Sequence, residues 1–92
     1  MDETILIRAL KALADKKRMR MAREIACAGE LSCGQVKSHF HLSQPTISHH
    51  LKILADAHLI ESRREGQFIR LKAVRKTLDE FRRALGHGFD GV

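Results

Sequence analysis

The sequence predicts a mainly α-helical domain with one small β-hairpin, and three observations carry that expectation. Apolar residues recur at helical spacing in five stretches, small polar residues stand where helix N-caps are wanted, and two short β-type runs flank a glycine. In the first stretch, Ile5, Leu6, Ala9, Leu10, Leu13 and Ala14 fall on one side, so Thr4 to Ala14 reads as a helix with Arg8 and Lys11 turned outward. Asp15 then caps a second helix from Lys16 to Ala28, with Met19, Ala22, Ile25 and Ala26 inward and Gly29 at its left-handed end. Ser32 caps a short third helix, Cys33 to Phe40, marked by Val36 and Phe40 one turn apart.

His41-Leu42 makes a tight turn and Ser43 caps a fourth helix, with Pro45 in the first turn, where a missing N–H breaks no hydrogen bond. Ile47, Leu51, Leu54 and His58 form its inner stripe, His58 half-buried, while Pro45, His49, Lys52 and Asp56 lie opposite, flanked by Ser48. Leu59 to Arg64 and Gln67 to Leu71 then read as strands joined by a Glu65-Gly66 turn. A last helix, Val74 to Leu85, aligns Val74, Leu78, Phe81 and Leu85; Gly86 and Gly88 end it, leaving 86–92 as a frayed tail. The order α-α-α-α-β-β-α, with a tight turn before a helix of polar outer face and a basic hairpin after it, is that of a winged helix-turn-helix.

Ninety-two residues are one domain's worth of chain, so 1–92 is expected to fold as a single unit. A chain of this size buries only roughly 60–65 % of its unfolded surface, too little for a deep enzyme cleft. Lys and Arg number 17 against 11 Asp and Glu, a net charge of +6 that calls for a polyanionic partner. Aromatic residues make up only 4 %, with no Trp or Tyr, which removes the stacking platform of single-strand binders and favours duplex DNA. No apolar run approaches the roughly 20 residues of a membrane span, and Met1-Asp2-Glu3 is unlike a signal peptide, so a cytoplasmic location is expected. Enzyme chemistry finds no constellation: Ser48 and His49 are neighbours on a helix and point about 100° apart, and no Gly-rich phosphate loop or cofactor motif exists.

The run Leu13-Ala14-Asp15, Arg18 and Arg20, Gly29-Glu30-Leu31, the stretch Leu42 to Leu54 and Arg63-Arg64-Glu65-Gly66-Gln67 resemble the ArsR/SmtB repressors over nearly the whole chain. The short length, Ile47 to Leu51 and Gly66 to Ile69 resemble most the autorepressor members of that family. The resemblance implies a homodimer paired through the first and last helices, bound to a pseudo-palindromic duplex operator. It places DNA contacts on Gln44, Ser48 and His49 of the fourth helix, with Pro45, Thr46 and Lys52 on the same segment, and on Arg63, Arg64 and Gln67 of the hairpin. It also implies release governed by a regulatory partner protein rather than by an inducer.

Many relatives in that family release DNA on binding metal, and here the ligand positions differ. The third-helix site needs Cys-x-Cys after Glu-Leu, but those positions are Ser32 and Gly34, with Cys33 out of phase between them. For the last-helix site the first ligand pair falls near Val74 and Lys76, and His87-x-x-Asp90 is a remnant of the second that cannot close a tetrahedral site. No metal and no cofactor are expected. Cys27 and Cys33 read as reduced thiols in or near the core, with a thiol switch as the sharper reading. A protein-interaction module with a basic face, or a sensor gated by thiols or tail histidines, stands beside the repressor as an alternative class. The salt dependence of duplex binding separates the interaction module from the repressor.

Overall fold

The computed structural model describes residues 1–89. The elements are α1 (Glu3–Leu13), α2 (Lys16–Ala28), β1 (Glu30–Ser32), α3 (Cys33–Phe40), α4 (Gln44–Asp56), β2 (Ile60–Glu65), β3 (Phe68–Ala73) and α5 (Arg75–Gly88). Four of the five helices begin at a side-chain cap. Asp2 Oδ1 accepts from Thr4 N at 2.7 Å, and Asp15 Oδ1 accepts from Lys17 N at 2.9 Å and Arg18 N at 3.0 Å. Ser32 and Gln35 exchange backbone and side-chain bonds in a capping box, and Ser43 Oγ accepts from Thr46 N. Each bond satisfies an amide that the first helical turn leaves open.

The core is one apolar cluster at the junction of α2, α4 and the sheet. Met21 and Ile25 of α2, Val36 of α3, Ile47 and Leu54 of α4, Leu59 and Leu71 are its largest fully buried side chains. Ala9 and Ala12 carry α1 onto it, since small side chains let the helix backbone approach closely. On α2 the inward methionine is Met21, whereas Met19 is 38 % exposed. The buried side of α2 is Met21, Ala22 and Ile25, and the helix packs on α1, α4 and the sheet.

Four features depart from the predicted layout. A third strand, β1, pairs antiparallel with β3 through Leu31 opposite Leu71, giving a sheet of order β1-β3-β2. Three residues are too few to show a period, so nothing in the sequence announced it. The hairpin turn is Gly66-Gln67, not Glu65-Gly66, because Glu65 pairs with Phe68. Gly66 has φ +61° and Gln67 is not among the positive-φ residues, so glycine occupies the first central position, as a type II′ turn requires.

The third departure is at the end of α4. His58 is exposed and lies outside the helix, with φ +60°. His58 N donates to Ala55 O at 2.9 Å and Leu59 N to Leu54 O at 3.1 Å, the Schellman pattern that usually has glycine at this point. The left-handed step throws the imidazole into solvent and delivers Leu59 and Ile60 to the core at 1 % and 3 % exposure. At the other end of the chain, α5 runs through Gly86 to Gly88, so residues 86–88 are helical rather than frayed. Its stripe of Val74, Leu78, Phe81 and Leu85 is only part-buried, against α1 and the edge of the core.

Candidate nucleic-acid interface

The two helices that follow β1, α3 and α4, meet across the turn at His41, whose φ of +51° ends α3 and aims α4 away from it. Ile47, Leu51 and Leu54 pin one side of α4 to the core. Gln44, Pro45, Ser48, His49 and Lys52 are consequently held on its solvent side, and all are exposed. Gln44 Nε2 donates to Ser48 Oγ at 3.2 Å, which orients both side chains before any ligand arrives. Thr46 is also exposed, but its hydroxyl lies 2.8 Å from Ser43 Oγ and belongs to the cap. Lys52 lies 3.9 Å from Asp56 on the open surface, a pair of little net strength that leaves the ammonium available.

The wing stands beside this helix. Ser48, Leu51, Lys52 and Ala55 of α4 face Ser62 and Ile69 of the hairpin across a shallow groove of about 300 Å³. Directly paired residues share a face of the sheet, so the row Ile60, Ser62, Arg64 and its partners Ala73, Leu71, Ile69 looks toward the helices. Arg64 continues that row toward the tip and has no carboxylate within ion-pair distance among the described residues. Arg63 is on the opposite face, bonded to Glu30 and Glu65, and opposing carboxylates hold its guanidinium pKa above the usual value. Gln67 sits in the turn and is exposed. Of the nine residues predicted from the sequence, Gln44, Pro45, Thr46, Ser48, His49 and Lys52 lie on α4, Arg64 and Gln67 lie on the hairpin, and Arg63 lies on the face of the sheet opposite to Arg64.

Two residues that the sequence did not mark as a pair support α4 from behind. Arg18 of α2 donates from Nε to Ala12 O at 2.7 Å, and its Nη1 lies 3.3 Å from His50 Nδ1 on α4. Their separation of 32 positions hides the pairing from any local pattern. Burial, together with the Arg18, His49 and Lys17 charges, pushes the His50 pKa down against the pull of Asp15, and burial is the largest of these effects.

Of the two cysteines, Cys33 packs against the core as expected and Cys27 does not. Cys27 is exposed, so it is no core thiol; Cys33 is half-buried at the floor of the α4–wing groove, and burial pushes its thiol pKa up. A raised pKa keeps a thiol protonated and unreactive. Ser32, in the position where a metal ligand would stand, spends its hydroxyl on capping α3. His87 is on the last turn of α5, and Asp90 lies outside the described residues. Among the described residues no helix is long and apolar enough to cross a membrane.

The model of a helix-turn-helix domain family matches residues 13–63, more than half of the chain. The transcriptional repressor SdpR of Bacillus subtilis is 41 % identical over 59 residues, which are 64 % of this chain and 64 % of that protein. An arsenical resistance operon repressor of Staphylococcus aureus is 42 % identical over 57 residues, 62 % of this chain and 54 % of the relative. The chain belongs to the ArsR family. An ArsR-like transcriptional regulator from Rhodococcus superimposes with a TM-score of 0.80 at 26 % identity, covering 91 % of this chain and 78 % of that one. The family's winged helix-turn-helix therefore holds over α1 to α5, although this chain matches less than two thirds of the length of the two curated relatives. Members of the family with this architecture are regulators rather than enzymes, in keeping with the lack of a catalytic constellation in the sequence.

Proposed function

We propose that this chain is a transcriptional repressor that binds duplex DNA in the cytoplasm as a homodimer of single-domain subunits, at a pseudo-palindromic operator and without a metal inducer. One observation carries the reading: Gln44, Pro45, Ser48, His49 and Lys52 project together from a helix whose other side is locked into the core. An α-helix fits the major groove, and short donors near its N-terminus reach base edges there. Gln44, Ser48 and His49 read bases; Pro45 and Thr46 pack close to the DNA backbone at the helix start; Lys52, Arg64 and Gln67 hold phosphates. The dimer follows from apolar surface. Ile5 and Ile7 of α1 are 40 % and 43 % exposed, and α5 buries none of its stripe fully, so one subunit leaves both faces open beside each other. With two-fold pairing through these faces, half-sites are expected about 34 Å apart, one turn of DNA, or a multiple of it.

The metal-independent reading rests on Ser32 and Gly34 at the thiolate positions and on the half-buried, protonated Cys33. Release then falls to a regulatory partner protein, as the likeness to the autorepressor members suggests. The test is selection of bound fragments from the host genome, with the region upstream of the chain's own gene included. A recovered inverted repeat, bound with steep salt dependence, is the expected result. Absence of salt-dependent duplex binding would overturn the repressor reading, and a severalfold change of operator affinity with zinc or arsenite would overturn its metal independence.

A further inference from the structure

The outer face of the sheet holds a charge cluster that base reading does not use. Strand register sets Arg63 of β2 directly opposite Arg70 of β3. Like charges so placed destabilise a sheet unless something intervenes. Two carboxylates do: Arg63 Nη2 donates to Glu65 Oε2 at 3.0 Å and to Glu30 Oε1 at 2.8 Å, and Arg70 Nε lies 4.0 Å from the same Glu65 oxygen. Glu30 belongs to β1, which is not hydrogen-bonded to β2, because β3 runs between them. Two ladder spacings, about 9–10 Å, separate those strands, so the Arg63 side chain crosses over β3 to make its contact.

That crossing links two parts of the molecule with different duties. β1 leads straight into the helix-turn-helix, since Ser32 is both its last residue and the N-cap of α3. The tip of the β2–β3 hairpin, by contrast, extends beyond β1, whose pairing with β3 stops at Ser32 and Arg70. A two-stranded ribbon flexes and twists readily by itself. We propose that Arg63 is a positioning residue, an ionic strut from wing to helix-turn-helix that fixes the wing's angle on DNA, and that Arg64 alone of the pair is a phosphate ligand. The proposal rests on the DNA-binding reading above. A phosphate approaching Arg63 meets Glu30 and Glu65 first, whereas Arg64 faces the α4 side with no carboxylate beside it. Exposed pairs add little to global stability, so variants of Arg63 and Glu30 are expected to fold.

The experiment is a charge swap measured on a mixed-sequence DNA duplex about three helical turns long, by fluorescence anisotropy over a range of salt. Arg63→Glu and Glu30→Arg are each expected to weaken binding about tenfold, and the double variant to recover to within about twofold of the parent. Arg63→Gln should leave the slope of log K against log salt unchanged, while Arg64→Gln lowers it by about one per subunit. Amide hydrogen exchange at Arg64, Phe68 and Ile69, read without DNA, should quicken in Arg63→Gln and in Glu30→Gln alike. A double variant as weak as Arg63→Glu, or an Arg63→Gln slope reduced as in Arg64→Gln, overturns the strut. If the parent protein shows no salt-dependent duplex binding, the function reading fails, and the exchange data decide the strut alone: unchanged wing exchange in both neutral variants overturns it.

Discussion

The guanidinium of Arg18 ties three helices together at one point, with its Nη1 3.3 Å from His50 Nδ1 on α4. Its Nε closes the carbonyl of Ala12, its Nη2 reaches the carbonyl of Lys11 at 3.5 Å, and its own backbone N–H is capped by Asp15. The side chain thus closes the end of α1 and steadies α4, while the backbone N–H of the same residue takes the Asp15 cap that begins α2. The basic stretch of α2 is therefore not uniform surface charge, since this member of it is committed within the subunit.

Arg18→Ala is expected to destabilise the fold by about 1–2 kcal/mol, through carbonyls at the end of α1 left with fewer donors. Urea unfolding followed by circular dichroism measures it. A loss no larger than that of Arg23→Ala, an exposed α2 position, would contradict the bracing role.

Burial of the His50 ring, with the Arg18 charge beside it, makes stability depend on pH in a definite direction. The folded state holds the His50 pKa below its ordinary 6.5, so the unfolded chain takes up this proton first as acid is added. Stability from His50 is full above that value and falls as pH drops from 6.5 toward the depressed folded pKa. In His50→Asn, whose side-chain oxygen still accepts from Arg18 but does not titrate, this loss should vanish. Unfolding free energies across this range provide the check, and equal pH slopes in parent and variant would refute it.

On α4, His49→Ala and Ser48→Ala are expected to reduce discrimination between operator and random duplex by about 1–3 kcal/mol each. Lys52→Ala should instead weaken both duplexes alike and flatten the salt dependence. Competition binding with the two DNAs separates these outcomes.

His58 occupies a left-handed position with its side chain in solvent. Replacing it with glycine relieves a steric cost of about 1 kcal/mol at the end of α4, partly offset by the freer unfolded chain. His58→Gly should raise the thermal midpoint, whereas His58→Val should lower it.

Leu85 on α5 is half-exposed and lies outside the packed core. Leu85→Asp should convert a dimer into a folded monomer, seen by sedimentation with the helical signal retained, and should weaken operator binding by losing one of two half-sites. A variant that stays dimeric would place the subunit contact elsewhere.

Much of this was legible along the chain. Asp15, Ser32 and Ser43 announce their helices because a cap acts over three residues, and Ile47, Leu51 and Leu54 mark the buried side of α4 because a helix repeats within the same window. The candidate reading residues then follow as the complement of that stripe. β1 was invisible, since its three residues are held by β3, about 40 positions later, and not by any period of their own.

Local order, capping and the exposed polar face of α4 are properties of neighbouring residues, and the sequence by itself determined them. The tertiary structure alone decided which charges remain free. Arg63 and Arg64 are adjacent and chemically identical in the sequence, yet the alternation of the strand sends them to opposite faces. One meets Glu30 and Glu65 while the other stays open toward α4, and Arg18 is withdrawn from the surface by His50 and the end of α1. Ion pairing depends on groups brought within a few ångströms, and chain folding sets that distance over separations of 32 and 33 residues that no local pattern records.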